Sequence, residues 1–212
     1  MPTDTLNLFS QPTARWFKDA LGVPTKVQED TWPAIASGHP VLVSAPTGTG
    51  KTLSAFLVFI DRLYAMAQEG TLKEELYLIY VSPLKSLAGD IRENLNRPLD
   101  GIRHEMERLE GAVHTVETAK PPQTARASES ARPPQTARPA GSVCLDIQVG
   151  IRTGDTPQKD RQRMVKHPPH ILIITPESLY LMLTSMTGQK VLRTARAVII
   201  DELHALIDTK RG

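Results

Sequence analysis

The stretch Ala45 to Thr52, Ala-Pro-Thr-Gly-Thr-Gly-Lys-Thr, constrains this chain more than any other. It follows the apolar run Val41 to Ser44 and precedes a helix-patterned run from Leu53 to Met66. A strand that ends in a glycine loop and restarts as a helix makes a cradle for phosphate. Gly48 and Gly50 let backbone N–H groups turn inward on an anion, and the helix starting near Lys51 offers the positive end of its dipole. The Lys51 ammonium can reach terminal phosphates, and the Thr52 hydroxyl is placed to hold Mg²⁺. Ala45 stands where the generic pattern G-x-x-x-x-G-K-[ST] has its first glycine, so the bare pattern fails at that one position. Strand, loop, lysine, hydroxyl and helix nevertheless follow in the order such a cradle needs.

The rest of the chain has to house that loop. At 212 residues it is long enough for one domain with a substantial core. Hydrophobic residues make up 40% and aromatics only 5%, which suits an aliphatic, parallel-sheet core. The expected class is α/β. Twenty-five Lys plus Arg against 23 Asp plus Glu leave a net charge of +2, too little to argue for nucleic acid by itself. A single cysteine, Cys144, excludes an internal disulfide and a cysteine-based metal cluster. No apolar run approaches ~20 residues and the opening Met-Pro-Thr-Asp-Thr lacks a basic region, so neither membrane span nor signal peptide is visible. A soluble cytoplasmic protein is the expectation.

Taken in order, Leu6 to Leu21 spaces Leu8, Phe9, Trp16, Phe17 and Leu21 at helical intervals. After the breakers Gly22 and Pro24, Thr25 can cap a helix that runs through Val27, Trp32 and Ile35 to Gly38. Gln28 lies on it. Its amide could pair with an adenine edge without charge, although a solvent-facing glutamine is the commoner outcome for this residue type. Val41 to Ser44 reads as the first strand and Leu53 to Met66 as its covering helix. Leu76 to Val81 is a continuous apolar strand leading into Ser82-Pro83-Leu84-Lys85-Ser86. A proline turn, a hydroxyl and a lysine at a helix start suit a phosphate-backbone contact, or simply an exposed loop lysine. Helix is expected over Ile91 to Glu110, with a break near Pro98 and Gly101.

From Gly111 to Gly141 the character changes. Pro-Pro-Gln-Thr-Ala-Arg occurs at Pro121 to Arg126 and again at Pro133 to Arg138, with no apolar period. So little to bury cannot offset the ordering entropy, and a mobile insertion is expected over about 112–142. Strands resume at Leu145 to Ile151, before Arg152-Thr153-Gly154-Asp155-Thr156-Pro157, and at Ile171 to Ile174, before Thr175-Pro176-Glu177. In both junctions a hydroxyl or carboxylate can cap a helix opened by proline. The last strand, Ala197 to Ile200, runs into Asp201-Glu202-Leu203-His204. An acidic residue ending a strand beside a phosphate loop is where a Mg²⁺ ligand belongs, and its neighbour can orient water against a γ-phosphate. His39, His104, His114, His167 and His170 show no metal-ligand spacing.

Gln28, the loop Ala45 to Thr52, Ser-Pro-Leu-Lys-Ser-Leu, Arg-Thr-Gly-Asp-Thr, Ile-Thr-Pro-Glu-Ser-Leu and Asp-Glu-Leu-His, in this order, resemble the successive motifs of a superfamily 2 DExH helicase. The large helicase-related (Lhr) family is similar from about Leu8 to Gly212, apart from the proline-rich insertion, and carries Ala in place of the first loop glycine. The resemblance implies one RecA-like P-loop domain with a mostly parallel sheet flanked by helices, binding ATP and Mg²⁺. It implies Gln28 near adenine, Thr47, Gly48, Thr49, Gly50 and Lys51 around the phosphates, Thr52 and Asp201 on Mg²⁺, and Glu202 as the hydrolytic carboxylate. Pro83, Leu84 and Lys85, then Thr153, Gly154 and Asp155, then Thr175, Pro176 and Glu177 correspond to motifs that grip a single strand, DNA before RNA. His204 corresponds to a residue coupling the nucleotide site to the motor, whose second RecA-like domain is missing here. The resemblance further implies a strand beyond Gly212, lying between those ending at Ser44 and Asp201, so a truncated, poorly packed domain is expected. A nucleotide-binding remnant without turnover and a different P-loop enzyme remain alternatives.

Overall fold

The structure, a computed structural model, describes residues 5–46, 48–83, 87–117 and 146–207. After a short 3-10 turn at Thr5–Leu8 come α1 (Gln11–Leu21), α2 (Lys26–Ala36) and α3 (Lys51–Gln68). Then strands and helices alternate: β1 (Leu78–Val81), α4 (Leu87–Glu117), β2 (Val149–Arg152), α5 (Gln158–Lys166) and β3 (Ile171–Ile174). The helices α6 (Pro176–Leu183) and α7 (Met186–Leu192) precede β4 (Ala197–Ile200) and α8 (Leu203–Ile207).

The strands form one parallel sheet in the order β2-β3-β1-β4. The two continuously apolar strands, β1 and β3, are buried throughout and take the centre, while the half-exposed β2 and β4 take the edges. Register brings Arg152, Ile174, Val81 and Ile200 level. The residues that follow them, Thr153, Thr175, Ser82 and Asp201, therefore line one rim at the carboxyl ends of the strands. That rim is tied by backbone bonds from Thr175 N to Arg152 O (3.3 Å), Ser82 N to Ile174 O (3.0 Å) and Asp201 N to Val81 O (3.0 Å).

Alternation along the strands divides the core in two. Leu78, Tyr80, Ile171 and Ile173 pack with Trp32, Phe56, Leu57 and Ile102 from α2, α3 and α4. Ile79, Val81, Leu172 and Ile174 pack on the opposite face with Met182 and Val191 from α6 and α7.

Three expectations change. Among the described residues Val41 to Ser44 joins no ladder, and Leu42 is 82% exposed; an extended run becomes a strand only beside a strand edge, and no described edge lies against this one. Helix α4 is unbroken at Pro98. Its buried face of Ile91, Leu95, Leu99, Ile102 and Met106 outweighs the lost hydrogen bond, and the Tyr64 hydroxyl donates to Leu99 O at 2.6 Å. Gly101 is a clearance rather than a breaker, because a Cβ there would lie 2.1 Å from Trp16 Nε1 of α1. The helix also continues to Glu117, so the expected insertion at about 112–142 begins inside it, and the rest of that segment lies outside the described residues.

Candidate functional site

The loop ahead of α3 is shaped by two glycines in the left-handed region, Gly48 at φ 79° and Gly50 at φ 83°. Gly50 caps α3, and its φ alone disfavours a side chain. Space disfavours one too: a Cβ there would meet Gln28 Nε2 at 2.7 Å. Gln28 is 4% exposed, so it does not face solvent. Its Oε1 accepts from Thr25 N (2.9 Å) while Gln28 N donates to Thr25 Oγ1 (3.3 Å), a reciprocal capping box at the start of α2. The same Thr25 hydroxyl donates to Thr49 O at 2.9 Å. The start of α2 is thus the seat of the loop, with the Gln28 amide turned against Gly50.

Inside the loop, Thr49 Oγ1 donates to Pro46 O (2.8 Å) and Ser54 Oγ to Gly50 O (2.9 Å). Lys51 Nζ donates to Ala45 O at 2.5 Å, folding the ammonium across the loop's own mouth. Thr52 is exposed, and Thr47 lies outside the described residues. A glycine loop, a helix start and an ammonium are what a phosphate chain requires.

At the rim, Asp201 accepts from the Tyr80 hydroxyl through Oδ2 and from Glu202 N through Oδ1 at 3.0 Å. Tyr80 is buried and stacked on Phe56 of α3, centroids 4.7 Å apart at 25°. Burial first, then the bond to Asp201 and the two acidic charges, hold its phenol above the ordinary range, so it stays a donor. Glu202 has φ 48°, a strained position for a residue with a side chain, and its Oε2 lies 3.3 Å from His204 Nδ1. Among the described residues no hydrogen bond joins Asp201 or Glu202 to Lys51 or Thr52.

Further along the rim, Thr175 is buried with its hydroxyl donating to Ser178 Oγ (3.1 Å), while Pro176 and Glu177 form the first turn of α6. Thr153 N donates to Thr156 Oγ1 (2.8 Å), and Asp155 N to Thr153 Oγ1 (3.3 Å). Arg161 then holds this loop from α5, donating to Thr156 O (2.8 Å) and Gly154 O (2.7 Å). The Arg152 guanidinium is lowered by burial and by the charge of Arg161. Among the described residues Ser82 Oγ is buried without a partner, and Pro83 is half-buried; Leu84 and Lys85 lie outside the described residues. A groove of about 920 Å³ runs along the edge strand β2 beside α5, from Gln148 and Pro169 at one end to Thr153, Asp155 and Thr156 at the other.

The structure therefore gathers Pro83, Thr153, Gly154, Asp155, Thr175, Pro176, Glu177, Asp201 and Glu202 on one rim, and seats Gly48, Thr49, Gly50 and Lys51 on Thr25 and Gln28. Three contributors escape sequence reasoning. Tyr80 reads as one more apolar strand residue, although a buried phenol demands a partner and parity puts it on the Asp201 face. Thr25 reads only as a cap. Arg161 lies within an expected helix, with no local signal to betray its contacts. For a divalent cation, the hydroxyl of Thr52 and the carboxylate of Asp201 are hard oxygen donors of the right kind for Mg²⁺. Among the described residues no three His, Cys, Asp or Glu side chains converge on a metal, so any cation here would draw further oxygens from its ligand.

Comparison with known proteins fits this geometry. The profile of the DEAD/DEAH box helicase family matches residues 25–129 and 135–212. The Lhr helicase/probable uracil glycosylase of Mycolicibacterium smegmatis is 44% identical over 209 residues, covering 99% of this chain and 12% of that protein. The ATP-dependent helicase Lhr-Core protein 2 of Thermococcus barophilus is 39% identical over 208 residues, covering 97% and 20%. The solved structure of Mycobacterium smegmatis helicase Lhr bound to ssDNA and AMP-PNP superposes with a TM-score of 0.76 at 41% identity, over 99% of this chain and 22% of that one. The chain thus spans between about an eighth and just over a fifth of the length of these relatives. Among the described residues, no helix is long and apolar enough to cross a membrane.

Proposed function

Because the chain belongs to the DEAD/DEAH box helicase family, we propose that it forms the first, ATP-binding RecA-like motor domain of an ATP-dependent helicase that moves along single-stranded DNA, with RNA the second candidate. The observation that carries this reading is the glycine loop seated on Thr25 and Gln28 at the head of α3, the helix whose Phe56 stacks on Tyr80, the donor to Asp201. Single-stranded DNA and AMP-PNP in the Lhr structure support it. A soluble, cytoplasmic setting goes with it.

In this reading Gly48, Thr49, Gly50 and Lys51 bind the phosphates, with Thr47 completing the loop. Lys51 releases the Ala45 carbonyl when a phosphate competes for its charge. Thr52 and Asp201 would hold Mg²⁺, which would supply charge neutralisation to the phosphate chain. Glu202 orients the attacking water, and His204, already beside it, links its position to the rest of the motor. Gln28, whose acceptor is engaged by Thr25 N, would contact adenine through its N–H₂ group. The rim at Pro83, Thr153, Gly154, Asp155, Thr175, Pro176 and Glu177 takes the strand's phosphates, which carry no base information, and Leu84 and Lys85, next after Pro83 in the sequence, join them in this reading.

Lys51→Ala is expected to weaken binding of a fluorescent ATP analogue, whereas Glu202→Gln keeps binding and stops turnover. Equal affinity in wild type and Lys51→Ala removes the basis for the site. Lys85→Ala should weaken single-strand binding evenly across sequences and flatten its salt dependence. Deleting residues 120–139 should change it little; the opposite pattern would put the strand on another surface. Residues 1–212 alone are expected to hydrolyse ATP poorly even with DNA, because arginines from a second RecA-like domain supply about 10³ to 10⁵ in rate. Nucleotide binding with no turnover in any longer form would favour a switch domain instead.

A further inference from the structure

Tyr80 touches both halves of the nucleotide site. Its ring lies flat on Phe56, in the helix that begins with Lys51 and Thr52, and its hydroxyl donates to Asp201 at the end of β4. We propose that Tyr80 is a positioning residue for Mg²⁺-nucleotide binding, fixing the Asp201 carboxylate relative to the phosphate-binding helix. This inference rests on the nucleotide reading above.

The geometry gives the reason. β4 is an edge strand with no described strand beyond it, and Glu202, next after Asp201, is backbone-strained. A carboxylate at that place has little else to hold its rotamer. Tyr80 belongs to the central strand β1, paired on both sides, and is 1% exposed. It is one of the most firmly fixed groups near the rim. Two bonds, from the phenol to Oδ2 and from Glu202 N to Oδ1, set the plane of the carboxylate. Each oxygen keeps a second lone pair, free to accept from a water on a cation. The Phe56 stack carries the same constraint into α3, so the hydroxyl end and the carboxylate end of the site are referenced to one buried ring. Partners that orient a metal-binding group typically matter about 10- to 100-fold in metal affinity.

The test is a titration of Mg²⁺ into the 212-residue chain with a fluorescent ADP, which reads binding and needs no turnover. Tyr80→Phe keeps the ring and its stack and removes only the hydroxyl. It is expected to raise the Mg²⁺ concentration at half-effect by about tenfold while affinity in excess chelator stays at the wild-type value. In an Asp201→Asn background the same change should have no further effect, because the hydroxyl acts through that carboxylate. An unchanged Mg²⁺ midpoint, or an equal shift in both backgrounds, overturns the proposal. Should Tyr80→Phe fail to fold by circular dichroism, Phe56→Leu decides: it loosens the ring but keeps the hydroxyl, and must move the midpoint in the same direction. Lys51→Ala separates the two readings. If it binds as wild type, the nucleotide site is misplaced and both fall; if it loses binding while Tyr80→Phe is silent, only the relay is wrong.

Discussion

At the residue scale, Gly50 and Thr25 are the positions where small changes should have large effects. Gly50→Ala puts a side chain at φ 83° and drives its Cβ toward Gln28 Nε2, 2.7 Å away. A cost of about 1 to 3 kcal/mol is expected from the backbone alone. Urea denaturation should show it together with loss of nucleotide binding, and an unperturbed midpoint would mean that the loop relaxes freely. Thr25 accepts from Gln28 N and donates to Thr49 O through one oxygen. Thr25→Ser should therefore bind nucleotide normally, while Thr25→Val, nearly the same shape, should lose both capping and loop order at about 1 kcal/mol of stability. The glycines, Lys51 and the acidic pair are legible in the sequence because their chemistry is local. Gln28 is not, since burial against Gly50 depends on a contact between segments twenty-two residues apart. Tyr80 is not either, because its partner lies on another strand.

Elements differ in the same way. Helix α2 announces itself through Thr25, and β1 and β3 through unbroken apolar runs, because each signal lies within or beside the element. Val41 to Ser44 has the composition of a strand but is not one here, since a strand is defined by its neighbour. The break expected at Pro98 fails for the converse reason: a long buried face overrides a local penalty of about 3 kcal/mol. The start of β3 carries a pH dependence. His170 is 7% exposed, accepts from Gln148 N through Nδ1 (2.9 Å), and is lowered below 6.5 chiefly by burial, against raising contributions from the Lys73 backbone, Asp146 and Glu74. The unfolded chain then takes up a proton near its ordinary value before the folded one does. Stability from this group is complete above about pH 6.5 and declines as pH falls through the interval between the two values. Urea midpoints measured from pH 7.5 to 5 should fall on the acid side, and His170→Asn should flatten that slope. An identical slope in the variant would assign the acid sensitivity elsewhere.

For the molecule as a whole, the outer edge of β4 is the exposed weakness. Val198 is 54% and Ile200 51% exposed, beside a row of backbone groups that no described strand covers. Such an edge templates further pairing. The 212-residue chain is expected to self-associate with concentration, and Val198→Lys to suppress this in sedimentation velocity without loss of nucleotide binding. A monomer at every concentration, with one sharp unfolding step, would show the edge to be tolerated. The level ends of the four strands carry a different consequence, for where this chain can change length. Adding one residue within β4 would turn Asp201 to the opposite face, away from Tyr80. Adding ten between α4 and β2 would shift no rim residue at all. Residues 130–134, the internal stretch that the family profile leaves unmatched, fall in that connection. Length added in that connection leaves the register of the rim as it is; length added within a strand does not.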